Sequence, residues 1–211
     1  MKKLISLLSV LSLMAFSSVK AEMTFGIGLM AGNVKTSGTE TEGTAADTST
    51  RSKSVEEFFL GADIFVETGL NNGMTVGLSY VPLDIELGSG KRTDINGSDP
   101  AENDDGERKA SADLTDLITL YTNIPVGDAG GYALLGAHYT KVKASTTLPN
   151  STYGSENVFG AQIGYGIKSD NGKVELFYSE FPDIELTSTG GNSNKVSADA
   201  DAITLRVSYG F

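Results

Sequence analysis

Apolar and polar residues alternate along most of this chain. A period of two puts the two sets on opposite faces of extended strands. The end of the chain shows this most cleanly: Ile203, Leu205, Val207, Tyr209 and Phe211 are separated by Thr204, Arg206, Ser208 and Gly210. Near the start, Met23, Phe25, Ile27 and Leu29 alternate with Thr24, Gly26 and Gly28. Phe58, Leu60, Ala62, Ile64 and Val66 alternate with Glu57, Phe59, Gly61, Asp63, Phe65 and Glu67. The same rhythm recurs at Met74–Tyr80, Ala133–Tyr139, Phe159–Ile167 and Val174–Tyr178, and less regularly through Ile118, Leu120 and Ile124. The pattern predicts eight strands.

The connections alternate in length. Thr68–Gly73, Pro125–Gly131 and Lys168–Gly172 are short and carry Asn-Gly and Gly-Gly hairpin chemistry. The stretches at about 35–54, 88–111, 144–156 and 187–198 are long, polar and acidic, and are expected to be loops without hidden strands. Three short turns and four long loops joining eight strands predict an all-β fold, an eight-stranded antiparallel up-and-down β-barrel with both termini on the short-turn side. One internal echo is visible. Tyr80-Val-Pro-Leu-Asp84-Ile-Glu-Leu87 resembles Tyr178-Ser-Glu-Phe-Pro-Asp183-Ile-Glu-Leu186, whose extra residue a β-bulge would absorb.

Which face is apolar decides the class. A soluble barrel buries its apolar face, whereas a transmembrane barrel turns that face to lipid and keeps small and polar residues inside. Here one face carries Ile, Leu, Val, Tyr and Phe, and the other is largely Gly, Thr, Ser and charged residues. The second set makes no cohesive core in water, so the barrel is expected to be transmembrane, with every backbone group paired by closure. Phe58, Tyr80, Tyr139, Phe159 and Tyr178 fall toward the loops, and Tyr165, Tyr209 and Phe211 toward the turns, as two interfacial belts would. Hydrophobic residues make up 39% and mean hydropathy is −0.09, values that fit a soluble protein or a barrel equally well.

The N-terminus adds a compartment. Lys2 and Lys3 precede an apolar run from Leu4 to Phe16, and Val19 and Ala21 are placed as the small residues before a cleavage point. Residues 1–21 read as a cleaved secretory signal peptide, leaving 22–211 as one barrel domain. Removing Lys2, Lys3 and Lys20 leaves 13 basic against 27 acidic residues, a net charge of −14 that argues against nucleic acid as a partner. Cysteine is absent, in keeping with export.

The alternating last strand ending Tyr209-Gly-Phe211 resembles the C-terminal signal of bacterial outer-membrane proteins. The whole mature chain resembles the small eight-stranded group of the OmpA barrel, OmpX and the OmpW-like proteins. The resemblance implies residence in the outer membrane of a Gram-negative-type bacterium with periplasmic termini. It also implies that Tyr209 and Phe211 are read by the barrel assembly machinery. No peptidoglycan-binding domain is expected after Phe211.

The inward face carries the candidate chemistry. Arg206 is expected to pair across the lumen with Asp63, with Glu67 or Glu175 as alternates, over the space left by Gly26 and Gly28. His138, the single histidine, has the hydroxyl of Thr140 two residues away on the same face, the minimum from which a nucleophile and base could be built. Asp94, Asn96 and Ser98 copy the start of a calcium loop. The glycine expected sixth is Asp99, however, and position twelve is Asp105 rather than Glu, so a solvated acidic loop is the expectation. No phosphate loop, zinc spacing or nucleophile elbow appears, and no cofactor or metal is expected. The expected role is structural and surface-interacting, with acidic loops outside and a largely plugged lumen. A narrow channel for ions or small solutes is the alternative, and a lipid A-modifying enzyme comes third. The protein is expected to be a monomer and not an enzyme, in contact with outer-membrane lipid and lipopolysaccharide.

Overall fold

The computed structural model describes residues 23–44, 47–94, 106–127, 129–147, 152–189 and 194–211. The proposed signal peptide and most of the calcium-like segment lie outside the described residues. Nine strand segments run β1 (Met23–Thr44), β2 (Asp47–Gly69), β3 (Thr75–Val81), β4 (Ile85–Asp94), β5 (Gly106–Pro125), β6 (Gly131–Thr146), β7 (Ser155–Ser169), β8 (Gly172–Thr187) and β9 (Lys195–Gly210). All pairings are antiparallel; they join chain neighbours except that β3 pairs with β5 in place of β4 and β1 pairs with β9 to bring the first and last strands together. Phe211 N donates to Phe25 O at 2.7 Å, so the ladder continues to the last residue.

The nine segments make eight staves. Both β3 and β4 lie against β5, β3 along Leu117–Asn123 and β4 along Gly106–Leu114, so they are two pieces of one stave broken at Pro82–Asp84. Pro82 has no N–H to give a ladder, which accounts for a break there. The ring closes where Ile64–Gly69 of β2 pairs with Thr75–Tyr80 of β3. Above that, among the described residues, no ladder joins β2 to β4. There the Val55 side chain lies against Gly88, and Thr36 Oγ1 donates to Leu87 O at 2.7 Å.

The three short connections are tight hairpins. Gly73 (φ 82°), Gly127 (φ 71°) and Asp170 (φ 43°) take left-handed backbone. In the first hairpin, Met74 N donates to Asn72 Oδ1 at 3.1 Å. The long connections differ from expectation. Among the described residues they hold no additional strand, but the barrel strands run far into them, and β1 pairs with β2 up to Thr44 and Asp47. The 22 residues of β1 extend over about 70 Å, against the roughly 9–11 residues that cross a bilayer. These polar extensions form because threonine and serine suit a ladder in water. Ser37 and Ser54 hydroxyls meet at 3.0 Å, as do those of Thr39 and Ser52.

Candidate functional site in the lumen

Strand parity sends a defined set of side chains inward, and the two halves of the lumen differ in character. Toward the turns the lumen is charged. Arg206 of β9 is 3% exposed, and its register neighbours are Met30 of β1 and Glu175 of β8. Its Nη1 donates to Asp63 Oδ2 at 3.0 Å and its Nε donates to Glu175 Oε2. The arginine reaches Asp63 past β1 because Gly28 has no side chain: a Cβ there would overlap Asp63 Oδ1 and stand 3.2 Å from Arg206 Cδ. Glu67 does not meet Arg206. It pairs with Lys173 Nζ and accepts the Tyr121 hydroxyl at 2.8 Å.

The remaining contacts lock this cluster. Tyr132 Oη donates to Glu175 Oε1 at 2.7 Å. The Arg206 guanidinium lies over Tyr121 at 5.4 Å and over Phe177 at 5.7 Å, and Lys173 Nζ lies over Phe65 at 4.3 Å. Three carboxylates thus face two cations, each with an opposite partner, which is the condition for burying charge. Asp63 Oδ1 and Arg206 Nη2 have no protein partner among the described residues. The sequence reading singled out Asp63, Glu67, Glu175 and Arg206 and missed Lys173, Tyr121 and Tyr132. Their signal was present: Lys173 precedes Glu175 by two on the same face, but it lies between the Lys168–Gly172 turn and the alternation that begins at Val174.

Toward the loops the inward face is aliphatic, where a largely small and polar face was expected. Val34, Val81, Ile85, Leu87, Leu114, Val142, Val158, Ile184 and Leu186 are all buried. Val34, Val81, Val142 and Val158 continue the inward parity of their strands, and two bulges add to them. The β5 ladder slips between Thr115 and Ile118, with Asp116 at φ 54°, and the β8 ladder slips between Phe181 and Ile184, with Asp183 at φ 58°. Each slip switches parity, so that Leu114, Ile184 and Leu186 turn inward. The second falls where the internal echo called for a bulge, and its first copy is interrupted at Pro82.

His138 sits between the halves, 3% exposed. Its Nδ1 meets Thr119 Oγ1 at 2.8 Å, its Nε2 meets Ser179 Oγ at 3.1 Å, and its ring stacks on Phe181 with centroids 5.0 Å apart. Thr140 is not its partner, since that hydroxyl donates to Thr115 O at 2.9 Å. A hydroxyl on each imidazole nitrogen is an arrangement from which a base could work, but the adjoining cavity is only 40 Å³. That is room for about one water. Two larger cavities lie along the axis: 430 Å³ beside Glu67 and Lys173 at the turn end, and 410 Å³ among the aliphatic residues at the loop end. The three share no lining residue. Among the described residues no group of three potential ligands could hold a metal.

The outer wall decides the environment. Phe25, Leu29, Phe58, Leu60, Ile163, Leu176, Ile203 and Leu205 point outward, with Leu60 70% and Leu29 69% exposed, while Asp63, Glu175 and Arg206 are enclosed. Water would penalise so broad a band of exposed aliphatic residues. Bilayer hydrocarbon solvates it, and the ring of strands leaves few backbone groups unpaired there. The chain is an outer-membrane-type β-barrel. Its aromatic residues border the band as expected, with Tyr139 and Phe159 in contact at 5.1 Å on the loop side and Tyr165, Tyr209 and Phe211 exposed on the turn side. No protein-family model and no curated protein matches the chain. Among solved structures the barrel is similar to Neisserial surface protein A, with 12% identity, coverage of 89% of this chain and 97% of that one, and a TM-score of 0.45. It is similar to OprG from Pseudomonas aeruginosa, with 11% identity, 92% and 99% coverage and a TM-score of 0.48. It is similar too to Ail of Yersinia pestis, with 14% identity, 86% and 98% coverage and a TM-score of 0.38.

Proposed function

We propose that this barrel is a non-conducting surface protein of the outer membrane, plugged across its lumen and presenting acidic strand extensions and loops to the exterior. The cluster of Asp63, Glu67, Lys173, Glu175 and Arg206 carries this reading. It ties β2, β8 and β9 together across the lumen, past Gly28 of β1, and the cavities on either side of it have no wall in common. In this reading the termini are periplasmic, the barrel is a monomer, and Tyr209 and Phe211 are the terminal residues read at insertion. Lipopolysaccharide is then the neighbour of the collar above the aromatic belt, where Lys141 and Lys143 stand among Asp84, Asp113 and Asp116. The protein is not an enzyme in this account, because the space beside His138 admits no substrate.

Planar-bilayer recording of the refolded protein tests the proposal. A bilayer that stays silent with inserted barrel supports it. Steady open steps would favour a narrow channel for ions or small solutes instead. A change in lipid A that depends on the protein and disappears in His138→Ala would favour the enzyme.

A further inference from the structure

We propose that the collar of this barrel is two four-stranded leaves that part along two slits, hinged at Pro82 and Pro182, while the girdle below stays closed. Among the described residues the ladder is continuous around the girdle and interrupted twice above it. On one side it ends where Ile64 pairs with Tyr80, and β2 and β4 share no ladder beyond. On the other, the pairing of β7 with β8 ends at Ala161 and Glu180. Residues 154–160 and 181–187 then run without a ladder bond up to the isolated bridge of Tyr153 with Ser188. In each case a proline, which has no N–H for a ladder, stands two residues above the last pair. These are the prolines of the two copies of the internal echo. Each copy has lost its ladder to the stave before it and kept its ladder to the stave after it. In ring order the slits lie four staves apart, on opposite sides. They divide the collar into a leaf of β8, β9, β1 and β2 and a leaf of β4, β5, β6 and β7.

Within each leaf the ladders run on toward the strand tips. Between the leaves the links are of other kinds. At the first slit Thr36 Oγ1 donates to Leu87 O at 2.7 Å, and the Val55 side chain lies against Gly88. At the second Glu185 N donates to Glu156 Oε2 at 2.7 Å, and Thr189 N to Thr152 O at 2.8 Å. One bond crosses the lumen: Tyr153 Oη, just before β7, passes β8 and β9 to donate to Glu40 Oε1 of β1 at 2.9 Å. Packing adds little near the tips. Gly38 and Ala198 of one leaf face Gly90, Ala110, Ala112 and Ala144 of the other across the 410 Å³ cavity. Side chains that line a void have no dispersion partner on that side. Segments with few buried contacts and few ladder bonds open at the lowest cost. Below the prolines the same two halves are joined by ladder on both sides, and by Tyr121 to Glu67 at 2.8 Å and Tyr132 to Glu175 at 2.7 Å. The motion therefore stops at the girdle, where a few residues at the strand breaks absorb it as hinges do.

The chain has no cysteine, so spin labels can be placed in pairs without removing any. The test is electron-spin distance measurement on the full barrel in phosphatidylcholine nanodiscs. Ser37→Cys on β1 with Ser145→Cys on β6 reports across the leaves. Ser37→Cys with Thr187→Cys on β8 reports within one leaf, and Leu29→Cys with Leu135→Cys reports across the girdle. Two variants release the leaves independently: Tyr153→Phe with Glu40→Gln cuts the bond across the lumen, and Thr36→Val cuts the bond at the first slit. In either one the cross-leaf distance distribution is expected to be about twice as wide as the within-leaf one, with the girdle pair unchanged from the parent. An unchanged girdle pair also shows that the variant has folded. A cross-leaf distribution as narrow as the within-leaf one in both variants would overturn the proposal. So would a girdle pair that widens in step with the collar pair, which is motion of the whole barrel. The labels read distance and not conduction, so either outcome leaves the plugged-lumen reading to its own test.

Discussion

Truncating Arg206 to alanine is the sharpest perturbation of the lumen. The side chain is 3% exposed and its two carboxylate partners, Asp63 and Glu175, are 1% and 0% exposed at the side chain. Removing the guanidinium leaves both acids enclosed with Lys173 as the nearest cation, and Lys173 is already held by Glu67. Breaking one partner of a buried pair costs ~3–5 kcal/mol because a charge is left without compensation. For a domain of this size each kcal/mol moves the midpoint by about 2–4 °C, so the expected fall is roughly 6–20 °C. Heat-modifiable mobility and urea unfolding followed by circular dichroism in detergent both read it. Adding Asp63→Asn and Glu175→Gln to Arg206→Met should recover most of the loss, because an uncharged lumen has nothing left to compensate. A melting temperature for Arg206→Ala within about 2 °C of the parent would refute the buried-pair account.

The other predictions concern the walls and the collar. Gly28→Ala places a Cβ against Asp63 and Arg206 and should cost ~1–3 kcal/mol in urea unfolding. Asp116 holds φ 54° at the β5 bulge, so Asp116→Val should destabilise by ~1–2 kcal/mol while Asp116→Asn stays close to neutral. Partial burial, with Glu86 and Asp84 nearby, pushes the Asp113 carboxyl above its usual range, and Lys143 opposes the shift. The folded state therefore holds this proton more tightly than the unfolded chain. Its contribution is favourable below the unfolded value and is lost as pH rises through the folded one. Asp113→Asn should thus stabilise the barrel at neutral pH but give no gain below the ordinary carboxylate range, as urea titrations at the two pH values will read.

Strand alternation in the sequence was enough to place the girdle and the three hairpins, because lipid and lumen demand opposite chemistry of neighbouring residues. Leu205 and Arg206 show the rule at its plainest: one is 47% exposed and the other 3%. The pairing partners of Arg206 were partly legible too, since Asp63 and Glu175 share its face and β1 offers glycine between. Two things were not legible. The strand extensions of β1 and β2 have no apolar alternation to announce them, because both faces meet water above the membrane. Part of the aliphatic half of the lumen was hidden because parity changes inside single strands. Read with one parity, Leu114 and Ile184 belong outside, and the marks of the switch are only Asp116 and the Pro182-Asp183 pair.

Those switches lie just beyond the outward residues Tyr80, Ile118 and Tyr178, where the girdle gives way to the polar collar. Within the membrane a stave must spend its apolar face on lipid, which leaves small and charged residues for the lumen. Above the membrane the outside is water, and the same stave gains more by turning its aliphatic residues in and its acids out. A bulge is the local device that exchanges the two faces without changing strand direction. The Tyr80 hydroxyl bonds the Asp116 carboxylate at 3.2 Å, so the belt that marks the interface also holds one of the switches. The charged cluster and the aliphatic half of the lumen are thus two answers of the same strands to two solvents, and the parity change sits where the solvent changes.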